Sequence, residues 1–150
     1  MADRFFEDYA VGAVAELGPV AVDAEEVVAF ARRYDPQPMH TDATAAAAGP
    51  LGGLIASGWH TAALMMRLIV EQYLSPASSL ASPGLDELRW LRPVRPGDTL
   101  SVRVTVIEAT RSRSKPDRGV VRSMVEVRNQ HGETVMSLQP INLVRCRPPA

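Results

Sequence analysis

The chain has 150 residues, the size of one ordinary domain, and 46% of them are apolar, enough to bury a core. A formal charge of -1 leaves no strong field to select nucleic acid or an anionic membrane. The single cysteine, Cys146, excludes an intramolecular disulfide and supplies no CxxC metal pair. The first residues, Met-Ala-Asp-Arg-Phe-Phe-Glu-Asp, are charged and lack the apolar core of a signal peptide. The longest apolar stretch, residues 61–70, is too short to span a bilayer and contains Arg67. A cytoplasmic location is therefore expected.

In chain order, Phe5, Phe6 and Tyr9 are expected to pack against the domain ahead of a first strand at residues 14–22, broken by Gly18-Pro19. Asp23 reads as a helix N-cap, and Glu26, three residues on, completes a capping-box pattern. Val27, Phe30, Ala31 and Tyr34 follow at helical spacing and predict one buried face. The helix must stop near Asp35, because Pro36 disfavours helical geometry in the residue before it. Residues 36–53 read as irregular, with a short alanine-rich turn at 43–48 capped by Asp42. Residues 54–74 read as a helix that is apolar almost all round and so must be wrapped, with Met65 and Met66 assigned to the core. Residues 75–83 read as a loop.

Everything beyond reads as strand. Residues 85–91 come first, and 92–98 form a turn. Leu100, Val102, Val104 and Val106 alternate with polar residues, as do Val121, Ser123, Val125 and Val127. The basic loop between them carries Arg111, Arg113, Lys115 and Arg118 and reads as solvated. Residues 129–132 form a hairpin turn with glycine free to take positive φ. The last strand, 134–145, loses its alternation at Pro140, as at a bulge or an edge, and residues 147–150 should fray. One helix followed by a meander predicts an α+β fold, an antiparallel sheet wrapped around a long central helix, in a single domain spanning 1–150. Its open edges predict a homodimer or higher homo-oligomer.

Chemistry concentrates between Tyr34 and Trp59. Asp35 and His40 sit five residues apart in a segment stiffened by Pro36 and Pro38, and a glycine-rich turn follows. On the residues alone, such a pair is more often a capping Asp and an exposed His. His60 reads as packing or hydrogen-bonding locally and His131 as part of the hairpin turn, and the three histidines lack metal-ligand spacing, so no metal is expected.

Three blocks resemble the MaoC-like dehydratases, the (R)-specific enoyl-CoA hydratases of the hotdog fold. They are Asp35-Pro-Gln-Pro-Met-His40-Thr-Asp42, Gly53-Leu-Ile-Ala-Ser-Gly58 and Leu88-Arg-Trp-Leu-Arg-Pro-Val-Arg-Pro-Gly-Asp98. The first is similar to the family's hydratase motif and the third marks the fold. Gln37 and Ser57 depart from the usual pattern. The resemblance implies a hotdog dimer, a coenzyme A thioester as substrate, and no cofactor beyond the coenzyme A that the substrate carries. Asp35 and His40 can share the acid and base work around one water, with Asp35 favoured as principal base and His40 as the group that holds and relays water, a division the residues leave open; the resemblance implies the Gly58 N–H as oxyanion donor. Ser57 is expected to touch substrate or water, with Gln37 and Gly53 as weaker binding residues. A hotdog thioesterase and a non-catalytic acyl-CoA-binding protein are the rivals. The thioesterase needs an acid near the central helix, which offers only Glu71.

Overall fold

The computed structural model describes residues 2–150; Met1, where the expected leaderless start begins, lies outside the description. A short 3-10 turn, Phe6–Asp8, leads into β1 (Val14–Ala21). Then come α1 (Ala24–Tyr34), α2 (Pro38–Thr41), α3 (Ala43–Ala48) and α4 (Gly58–Gln72). Four strands complete the chain: β2 (Ser79–Trp90), β3 (Thr99–Arg111), β4 (Arg118–Arg128) and β5 (Thr134–Arg145). With β1 they form one five-stranded antiparallel sheet in the order β1-β3-β4-β5-β2. Among the described residues no helix is long and apolar enough to cross a membrane.

The alternation in β3 and β4 sets which face is buried. Leu100, Val102, Val104 and Val106 point inward, as do Val121, Ser123, Val125 and Val127. Leu64, Met65, Leu68 and Ile69 of α4 meet these valines in one cluster, so α4 lies against the inner face of the sheet. Each such side chain, fully buried, contributes about 1.5–3 kcal/mol. The N-terminal aromatics close one end: Tyr9 is buried against Tyr73, edge to face at 5.5 Å. Phe6 lies over Gly119 of β4, where an added Cβ would come within 2.3 Å of the ring. Gly119→Ala is therefore expected to expel Phe6 and cost about 1–3 kcal/mol, read as a lower denaturant midpoint with an unchanged slope.

Several elements differ from expectation, each for a local reason. The central helix starts at Gly58, not at residue 54, because the preceding stretch is extended and the Ala56 N–H donates to the Val94 carbonyl at 2.8 Å. Its outer face is open: Met66 is exposed while Met65 is buried. Tyr34 is 63% exposed, since α1 has turned its last residue out of the core that holds Val27 and Ala31. The capping box at α1 is half formed. Asp23 accepts from the Glu26 N–H at 2.9 Å, but the Glu26 carboxylate reaches across to His60 instead of returning to its own helix start. His60 thus bonds to a distant helix, not locally.

Strand β2 begins at Ser79, inside the stretch that Ser and Pro mark as loop; pairing with β5 overrides composition there. Pro140 is not at an edge, because β5 lies between β4 and β2. Its missing N–H falls in the gap in β4–β5 pairing between Arg122↔Ile141 and Val125↔Leu138, across which the register is unchanged, so there is no bulge at Pro140. The chain end is tied down at Arg147, which donates its N–H to Glu7 at 2.9 Å and its guanidinium to Asp8 at 2.6 Å.

Candidate active site

Asp35 is the C-cap of α1, placed there because its own N–H donates to the Ala31 carbonyl at 2.8 Å. The two following prolines build a sharp return: the Gln37 N–H donates to the Asp35 carbonyl, and Pro38 opens the one-turn helix α2. That turn, which sequence periodicity cannot reveal at four residues, carries His40 inward, where it is 4% exposed. The acid and the base therefore meet across the turn, with His40 Nε2 at 3.3 Å from Asp35 Oδ2.

The ring of His40 is oriented from behind. Its Nδ1 lies 2.8 Å from the Ile55 carbonyl, which can only accept, so Nδ1 carries a proton and Nε2 is the ring nitrogen turned to Asp35. Asp35 is gripped on both oxygens. Ser57 Oγ donates to Oδ2 at 2.7 Å, and Gln37 Nε2 donates to Oδ1 at 2.7 Å. The Ser57 bond first, then the Gln37 bond, hold the Asp35 carboxyl below the usual carboxylate range; burial opposes them and the nearby His40 adds a smaller pull. With the His40 ring neutral, Oδ2 and Nε2 are two acceptors 3.3 Å apart. Both can accept from the two O–H groups of a single water, which would leave its oxygen lone pair directed away from the pair.

Ser57 is fully buried, so its hydroxyl serves Asp35. Ser57→Ala is expected to raise the titration midpoint of the Asp35 carboxyl toward the ordinary value, followed by carboxyl carbon NMR; an unmoved midpoint would contradict this. The sign follows from linkage. A depressed carboxyl stabilises the fold above its unfolded pKa, and that contribution is lost as pH falls through the folded value. The Ser57→Ala protein should accordingly show a smaller loss of stability between neutral and acid pH.

Ser57 is also the N-cap of α4, with Oγ accepting from the Trp59 N–H at 3.3 Å, while its carbonyl accepts from the His60 and Thr61 N–H groups. In that first turn the Gly58 N–H alone has no acceptor among the described residues. It stands where the helix dipole is positive, and Gly58 lines the same cleft as Asp35 and His40. The cleft holds about 380 Å³, and Met39, Trp59 and Trp90 supply much of its apolar wall.

The absent Gly58 side chain has a use the sequence does not disclose. A Cβ there would lie 2.4 Å from the Trp90 indole, so the glycine seats that ring against the helix start. Trp59 meets Trp90 edge to face at 5.0 Å. The signal for Trp90 is in the third motif block, which reads as a fold marker until β2 delivers its last residue to the cleft. Gly53 lines a separate cavity of about 210 Å³ beside α3. Gln37 reaches the site only through Asp35. Glu71 pairs with Arg67 at 2.9 Å, and neither it nor the basic-loop residues line the cleft. Among the described residues no three His, Cys, Asp or Glu side chains gather as a metal site would require.

Residues 9–129 match the family model described as a MaoC like domain. A MaoC-like dehydratase from Rhodospirillum rubrum is 42% identical, with a TM-score of 0.90 over 97% of this chain and 99% of that one. The 3-hydroxyacyl-thioester dehydratase Z of Mycobacterium tuberculosis is 34% identical over 110 residues, 72% of this chain and 73% of the relative. Mesaconyl-CoA hydratase of Cereibacter sphaeroides is 33% identical over 97% of this chain, which spans only 42% of that relative's length. The likeness to the solved dehydratase makes the α+β architecture a hotdog fold.

Proposed function

Since the chain belongs to the family of MaoC-like dehydratases, we propose that it reversibly hydrates a trans-2-enoyl thioester of coenzyme A to the 3-hydroxyacyl thioester. The observation that carries this is the convergence of three groups on one cleft: Asp35 Oδ2, His40 Nε2 at 3.3 Å from it, and the acceptorless Gly58 N–H. A water donating to both acceptors is held for attack on C3 of the enoyl group. As the C–O bond forms, one water proton passes to Nε2 and the C2=C3 electrons move toward the thioester carbonyl. The Gly58 N–H meets the negative charge that develops on that oxygen. The proton on Nε2 then goes to C2, so one water is added and the ring is restored.

The hydrogen bonds that lower the Asp35 pKa make it a weaker proton acceptor, so in this scheme Asp35 remains a carboxylate. It orients the water and stabilises the imidazolium, while His40 takes the proton. The sequence reading favours Asp35 as principal base and leaves the division open; the scheme proposed here gives the proton to His40. No metal or redox group has a task in this reaction.

We also assign the protein to a homodimer. Among the described residues strand β2 pairs only with β5, and its free edge is long and exposed, with Leu85 and Trp90 open along it and Leu91 just beyond. Such an edge is normally covered. Sedimentation should give twice the chain mass.

The functional test is a panel of enoyl-CoA thioesters followed by loss of the conjugated absorbance. Release of free thiol without that loss would support a thioesterase, and binding without turnover an acyl-CoA-binding protein. Glu71 argues against the thioesterase, being half exposed and engaged with Arg67.

A further inference from the structure

We propose that His60 is a positioning residue that sets the Asp35–His40 geometry from outside the cleft; the idea rests on the hydratase reading for its kinetic part. His60 is 2% exposed and does not line the cleft. Its Nε2 lies 3.2 Å from Glu26 Oε1, and its ring stacks on Phe30 at 4.8 Å and 14°. Both partners belong to α1, one turn apart, so the ring is clasped on one face of that helix. Phe30 in turn packs on Tyr34 at 5.1 Å, the residue before Asp35.

On the α4 side, the His60 N–H donates to the Ser57 carbonyl at 2.9 Å, and the Ser57 hydroxyl grips Asp35 at 2.7 Å. The contacts close a ring: Asp35 to Ser57, Ser57 to His60, His60 to Phe30, and along α1 back to Asp35. The distance between the α1 C-cap and the α4 N-cap, which the Asp35–Ser57 bond spans, is thereby fixed at a second point.

Packing alone does not account for a histidine here. Its Nδ1 is buried with no hydrogen-bond partner among the described residues, a stability cost that a phenylalanine of similar shape would avoid. What phenylalanine could not do is bond to Glu26 across the helix pair. The half-formed capping box has the same explanation, because the Glu26 carboxylate is used on His60.

The test uses His60→Phe, His60→Gln and Glu26→Ala in the full chain. Misplacing a reacting group by about 1 Å costs up to roughly 10²-fold in rate. His60→Phe should therefore keep cooperative unfolding and KM within about twofold while kcat falls about tenfold or more. His60→Gln, whose amide nitrogen can reach Glu26, should recover most of kcat. A second readout needs no substrate: the His40 ring nitrogen resonances should move in His60→Phe and in Glu26→Ala, whose half-exposed site the fold tolerates, and return in His60→Gln. Unmoved His40 resonances in both His60→Phe and Glu26→Ala would overturn the proposal. So would a His60→Gln protein as impaired as His60→Phe. A wild-type protein that hydrates no enoyl thioester would remove the hydratase reading, and the ring resonances would still decide the positioning claim.

Discussion

Asp35→Asn is expected to lower the hydration rate by about 10³-fold with KM little changed, since a positioned acid–base group is typically worth about 10²–10⁴-fold. The substitution keeps shape and removes charge. Oδ2 now accepts from Ser57 at 2.7 Å and faces His40 Nε2 at 3.3 Å. An amide in its place supplies one oxygen and one NH2. If the oxygen stays with Ser57, the NH2 meets the Gln37 amide, donor against donor; if it flips, the NH2 meets Ser57 and can donate into the Nε2 lone pair. In the flipped arrangement the water loses one of its two acceptors, and in both an imidazolium forming at His40 loses its counter-charge. The fold should survive, because Asp35 is held at the surface end of α1 and its backbone bond to Ala31 is unaffected. Far-UV circular dichroism and a denaturant midpoint near wild type would verify that the loss is chemical.

Gly58→Ala is expected to cost about 10²-fold in kcat, the usual effect of losing an oxyanion donor, and about 1–3 kcal/mol of stability from overpacking. The added methyl would sit 2.4 Å from the Trp90 ring. One of two things must give. The indole is half exposed and can swing outward, which strips the cleft of a wall and breaks the edge-to-face contact with Trp59. Alternatively the first turn of α4 shifts and carries the Gly58 N–H out of line. Emptying the space discriminates between them: adding Trp90→Ala to Gly58→Ala should recover kcat if the helix had moved, and leave it low if the cost lay in losing the ring. Steady-state kinetics on wild type and these two variants reads this out, and a Gly58→Ala enzyme with wild-type kcat would contradict the expected displacement of the N–H or the indole.

Much of this site is legible in the sequence because its parts are local. Pro36 ends α1 where it must, which fixes Asp35 at a helix C-terminus. Alternation in β3 and β4 names the inward valines without error, since the strand period of two leaves no ambiguity once one face is buried.

What the sequence hides is non-local. Helix α2 has four residues, too few for periodicity, yet it is what swings His40 inward. Ser57 looks like a residue for substrate until the fold brings Asp35, 22 positions earlier, within 2.7 Å of its hydroxyl. Trp90 comes from an edge strand and Glu26 from a capping motif, and each finds its partner only when β2 and α4 are in place. The start of α4 was misjudged for a similar reason. Residues 54–57 are apolar enough for helix, but the carbonyl of Val94 offers Ala56 a strand-like partner.

The account stands on Asp35 and His40 acting as one device on one water. The direct test is a double-mutant cycle: kcat for hydration of a short trans-2-enoyl-CoA by wild type, Asp35→Asn, His40→Ala and the double variant. Groups that act as a unit are strongly non-additive. The double variant is therefore predicted to be no slower than the worse single variant within about threefold. Losses that multiply, with each substitution costing its full factor in the presence of the other, would mean that the two residues act independently and would contradict the shared-water site.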